Sequence, residues 1–262
     1  MDTSLSHVAD MSAATKLFSE AFLRSLKGFA MVFEFRRIAC IGLKSSFSDL
    51  LAYVTQLLYD LETNPDFAGI IVSIDPNVPP RPGWSRRIVA TSADYLVRQQ
   101  QQSFSVAVDA ASLVFAHSIL DDAALQYCQV TAMVSPSSWE QLVLEKKVQL
   151  RDVRSNDYEN LLKRSIQDYI DKLERESLIT KSQKLFEVCR PEREFQPIMG
   201  FSYDRGRLEG LDRLRHDIVH GAGPVNKLPN GDDDLYFMQQ CGLYLMTLVN
   251  HRFGVRIEVS DL

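Results

Sequence analysis

Cysteine is scarce. The 262 residues hold four (Cys40, Cys128, Cys189, Cys241), and none lies in a C-x-x-C pair. That spacing offers neither a disulfide framework nor a zinc knuckle, and it predicts free buried thiols in a reducing cytoplasm. Long apolar runs are also missing. The longest is Leu243 to Val249, broken only by Thr247, against roughly 18 residues needed to span a bilayer, so no membrane partner is expected. Met1 to Asp10 carries acid and no Lys or Arg, which gives no sign of a secretory leader. A basic arm is absent as well. Lys+Arg number 29 against 34 Asp+Glu, net −5; residues 101–139 carry three acids and no base, and residues 140–215 balance 16 bases against 15 acids. Tight nucleic-acid binding by bulk charge is therefore not expected, and only a local basic site stays open. There is no G-x-S-x-G elbow, no G-x-x-x-x-G-K-[ST] loop, no G-x-G-x-x-G after a strand, and no repeat of 20–50 residues.

What is present reads as globular. Hydrophobic residues make up 45% and charged residues 24%, which rules out a disordered or fibrous chain. Four prolines between Asp75 and Trp84 mark the best boundary. The fold class expected is mainly α: a smaller N-terminal α/β portion over 1–85, of unknown role, and a helical domain over 86–262. In the first portion, Leu17, Phe18, Phe22, Leu23 and Leu26 predict a helix over 12–28. The Phe-, Val- and Ile-rich segment 29–43 reads as strand. Ser48-Asp49 opens a helix over 49–62, ended by Asn64-Pro65, and Gly69 to Ile74 is β-branched and strand-like. Beyond the proline loop the pattern is helical over 86–102 and 105–134, the latter apolar on all sides like a core helix. Further helices are predicted over 158–176, from Ser177 to Cys189, over 205–220 and over 233–252. Gly221, Gly223 and Pro224 stop the third of these, and Asp232-Asp233-Asp234 suits the positive end of the last helix's dipole.

Chemistry concentrates in one place. Of five histidines, His7 is near the terminus, His117 lies in an apolar helix as a satisfied core residue, and His251 ends the last helix. His216 and His220 stand in Leu211-Asp212-Arg213-Leu214-Arg215-His216-Asp217-Ile218-Val219-His220-Gly221. Leu211, Leu214 and Ile218 form the core stripe, and the rest is unusually polar. A bland account pairs Arg213 with Asp217 at i, i+4, worth about 0.2–0.5 kcal/mol, and leaves the histidines decorating the last turn. A metal account notes that His216 and His220 project to one side, as two zinc ligands would. Against it, the third histidine of the extended zinc motif would fall at Asn226, and no local Cys, His or Glu replaces it.

A third account rests on resemblance. Arg215-x-x-x-x-His220, with a polar residue directly after the arginine, resembles the R-x4-6-H signature of the HEPN superfamily, small helical domains of which many are metal-independent endoribonucleases. The likeness extends over about residues 86–254. It implies a HEPN-like helical bundle acting as a homodimer, with RNA as partner and no cofactor. Arg215, His220 and His216 would be catalytic, and Arg213, Asp217 and Arg207 would contact substrate. The function implied is RNA cleavage by 2′-OH attack, in phage defence or toxin-type growth control. The alternative within the family is a non-catalytic module that binds RNA, nucleotide or protein. On an ideal helix Arg215 and His220 lie about 140° and about 7.5 Å apart, and the resemblance supplies a two-fold dimer that brings both copies into one cleft. Arg215 offers a fixed fork of donors to a phosphate, and the His220 imidazole is a group that can take or give a proton. One branch of the family continues R-x4-H-x-Y, with the tyrosine modified by an antitoxin. Here Gly221 and Ala222 follow His220, so that route of control is not expected, and an antitoxin or defence partner cannot be identified.

Overall fold

The computed structural model describes residues 2–63, 86–143, 158–192, 195–198, 200–220 and 231–257. Among them the fold is almost wholly helical, with no strand. Seven helices follow in order: α1 Asp2–Thr63, α2 Arg86–Val134, α3 Pro136–Val143, α4 Tyr158–Leu173, α5 Leu178–Cys189, α6 Arg205–His220 and α7 Gly231–Phe253.

The strand expected over 29–43 is corrected. Those residues run helically inside α1, which merges the two helices predicted on either side. The β-rich composition yields because Phe29 and Val32 stand at helical spacing and are both buried, while no proline interrupts residues 2–63. Likewise α2 passes through Ser103-Phe104 without a break, since neither Pro nor Gly lies between Arg86 and Val134. It ends where Pro136 takes the first position of α3, which suits a residue with no N–H to offer. The expected strand at 69–74 and the boundary at residue 85 fall outside the described residues.

The chain divides into two compact units. The smaller comprises residues 34–111 and 225–228. Within it Val97 and Val108 are buried, and Arg36 donates from Nε to Asp109 Oδ1 at 2.8 Å in a nearly dry pair. The larger comprises residues 1–33, 112–224 and 229–262. Its core gathers Phe18, Phe29, Leu113, Leu120, Tyr127, Trp139, Leu185, Leu208, Met238 and Leu245, all below 2% exposed. Phe18 meets Tyr127 with ring centroids 5.5 Å apart, joining α1 to α2. Trp139 sits edge-on to Tyr169 at 6.1 Å and donates from its indole N–H to Thr131 Oγ1, so α3 is fixed to both α4 and α2. At the far side α5 packs on α6 and α7, where Phe186, Tyr203 and Tyr244 form one ring cluster.

Among the described residues one stretch, Val97–Val134, is long and apolar enough to cross a membrane by length and composition. In the fold it is a packing helix: Leu113, Ala116, Leu120, Ala124 and Cys128 are fully or almost fully buried, and its buried Asp109 and His117 each have a charged or polar partner.

Gly28 sets how closely α1 approaches α2. A Cβ there would lie 2.9 Å from Ile119 Cδ1 and 3.0 Å from its Cγ1. The second atom sits near the root of the side chain and cannot swing away. Gly28→Val is therefore expected to destabilise by about 1–3 kcal/mol, the usual penalty of overpacking, read as a lower urea midpoint. The cysteines make a second test. Cys128, Cys189 and Cys241 are buried and Cys40 is half-buried. Burial pushes the Cys128 and Cys241 thiols upward and the Cys189 thiol up to about 12. Because the thiolate is the reactive form, alkylation of the native protein at pH 8 should label Cys40 alone, and all four sites only after denaturation.

Candidate functional site

α6 has the bounds the sequence predicts, but its core stripe is shifted: Leu211 is buried as expected, Leu208 joins it, and Leu214 and Ile218 are only half-buried. Asp204 accepts from the Arg207 backbone N–H at 3.0 Å, closing the helix's first turn. Leu208 and Leu211 enter the core, and the polar residues follow on the remaining faces. α5 starts equally legibly: Ser177 is its N-cap, with the hydroxyl accepting from the Thr180 N–H at 3.2 Å.

A cleft of about 560 Å³ opens between α2, α6 and the turn entering α5. Arg215 and His216 both line it. Arg215 is half-buried, and its Nε is buried with no hydrogen-bond partner. His216 is exposed at the rim, and its ring lies 4.3 Å from the ring of His220, at 44°. The structure thus brings Arg215 and His216 into one cleft and sets His220 beside it, in ring contact with His216. His220, Asp217 and Arg213 are exposed and do not line the cleft. Arg213 makes no pair with Asp217; its Nε turns back to the Glu209 carbonyl at 3.3 Å. Arg207 is engaged elsewhere: it donates to Asp234 Oδ1 at 2.6 Å and stacks 4.5 Å over the Phe237 ring, clamping α6 to α7. A third ligand for His216 and His220 is not at hand, for no group of three His, Cys, Asp or Glu side chains that could hold a metal occurs among the described residues. The 221–230 loop, with Asn226, lies outside them.

The other walls carry chemistry that the sequence did not point to. His117 is 7% exposed and bonds through Nε2 to Asp212 Oδ1 at 2.7 Å. It is the satisfied core histidine expected from its apolar helix, yet its partner is a residue of the α6 cluster and both line the cleft. Lys181 is 2% exposed and donates to both Asp121 oxygens, at 2.8 and 2.7 Å. Its signal was present in α5, where Leu178, Lys181, Ser182 and Leu185 make one buried stripe with a lysine on the apolar side. The pairing of His117 with Asp212 spans 95 residues and left no local trace. In sum, five carboxylates and three permanent cations line the cleft, and two of those carboxylates are taken up by His117 and Lys181.

Comparison with known protein families, curated proteins and solved structures finds no match for this chain.

Chemically, the arrangement offers a guanidinium with an unused buried donor, an imidazole at the rim and a carboxylate-held imidazole in the wall. That set can grip an anion and move protons; it has no activated thiol.

The Lys181–Asp121 pair supplies a clean stability test. Removing one partner of a buried pair leaves an uncompensated charge and costs about 3–5 kcal/mol. Asp121→Ala is expected to destabilise by that order, while Lys181→Met with Asp121→Ala should recover most of the loss. Chemical denaturation of the single and double variants reads the coupling.

Proposed function

We propose that the chain is a metal-independent endoribonuclease of HEPN type, in which a HEPN-like helical bundle presents Arg215, His216 and His220 to an RNA phosphodiester, and that it works in the cytoplasm as a homodimer. The role is cleavage in phage defence or toxin-type growth control. The observation that carries this reading is the buried, unpartnered Nε of Arg215 in a cleft shared with His216. A buried donor left without a partner carries a desolvation penalty of about 1–3 kcal/mol, and a phosphate oxygen would relieve it. Arg215 then steadies the charge on the pentavalent phosphorus, and a histidine exchanges protons with the 2′- and 5′-oxygens. No metal enters that scheme.

One observation favours a second reading, a module that binds without cutting. The five carboxylates of the cleft oppose a polyanion and suit a partner with positive charge.

Incubation of the protein with labelled RNA in EDTA decides between them. Cleavage to a 2′,3′-cyclic phosphate is expected from the wild type. Arg215→Ala and His220→Ala should each lower the rate at least about 100-fold, the lower end of what one acid–base group supplies. Equal cleavage by all three proteins, or none by any, would refute the nuclease reading.

A further inference from the structure

Displacement at phosphorus is in line: the 2′-oxygen enters on one side as the 5′-oxygen leaves on the other. A base and an acid must therefore reach the phosphorus from different directions. Within one protomer His216 and His220 cannot divide that work, because they project from one helix with rings 4.3 Å apart. A group is needed on another wall of the cleft that holds Arg215. Among the residues lining it, His117 is the imidazole that comes from a second helix. Its Nε2 is committed to Asp212, which fixes the ring and leaves Nδ1 as the atom that can exchange a proton. Asp212 also supplies the counter-charge that a protonated ring at 7% exposure requires. The cleft's volume of about 560 Å³ lies in the range of small-ligand sites, large enough for a nucleotide.

Building on the nuclease reading, we infer that His117 is the general acid of the cleavage, positioned by Asp212, and that the His216–His220 pair, in ring contact at 4.3 Å, supplies the base through His216. His216 accepts the 2′-hydroxyl proton. The 2′-oxygen bonds to phosphorus, the bond from phosphorus to the 5′-oxygen breaks, and that oxygen takes a proton from His117. The products are a 2′,3′-cyclic phosphate and a free 5′-hydroxyl, with His117 left neutral and His216 protonated. Arg215 faces the non-bridging oxygens throughout.

The test compares two substrates in EDTA: the dinucleotide UpA and uridine 3′-(4-nitrophenyl phosphate), whose leaving group departs without a proton. His117→Gln is expected to lower kcat on UpA about 10²–10⁴-fold, with KM little changed, yet to lower the rate on the aryl ester less than about tenfold. Asp212→Asn, which keeps size and hydrogen-bonding shape, should show the same selective loss to a smaller degree, and it decides the matter if His117→Gln melts at the assay temperature. A wild type that cleaves and an Arg215→Ala that does not, together with either His117→Gln or Asp212→Asn slowed equally on both substrates or on neither, overturns this assignment alone. A wild type that cleaves neither substrate overturns the nuclease reading and this inference with it.

Discussion

The bond of 2.7 Å between Asp212 and His117 is the constraint on which the site depends. It joins α6 to α2 across the cleft wall. Leu208 and Leu211 hold α6 by its apolar stripe, but apolar packing is non-directional and tolerates small rotations. A hydrogen bond to a nearly buried ring does not. It therefore sets how α6 is turned about its axis, and so which of the next residues, three and four positions on, enter the cleft. Arg215 and His216 do, and Asp217 does not.

The same helix α2 carries a second buried demand for charge. Lys181 reaches Asp121 from α5 with both oxygens engaged, one turn beyond His117. Two ionisable groups that are almost wholly shielded from water, each answered by one carboxylate, are an expensive way to hold three helices together. Leucine would pack more cheaply. Such an arrangement gives up stability in return for fixed positions of charge, and the cleft they border is where fixed charge is useful.

Some of this was legible in the sequence. Helices α5, α6 and α7 lie where capping side chains, acids and glycines put them: Ser177 caps α5, Gly254 with φ 66° closes α7, and Asp234 stands in its first turn. These are local rules, satisfied within four residues. The misread region, 29–43, failed because its side chains are β-branched or aromatic while its burial follows a helical period, with Phe29 and Val32 inside and Met31, Phe35 and Ile38 outside. Tertiary packing against α2 overrides propensity there. The site was half legible for the same reason. Arg215, His216 and His220 are neighbours in sequence, whereas His117 and Lys181 come to the cleft across 95 and 60 residues from their partners, and no single sequence records such a distance.

The motif helix also explains why spacing alone is a poor guide to chemistry. A five-residue step turns a side chain about 140° away on an ideal helix, and His220 accordingly leaves the cleft that Arg215 enters. A four-residue step turns it only about 40°, so His216 and His220 keep ring contact and His216 carries that contact to the cleft's edge. An arginine and a histidine five apart can share one phosphate only if another chain, another helix or an intervening side chain closes the angle. In this fold His216 and, from α2, His117 line the cleft that Arg215 enters.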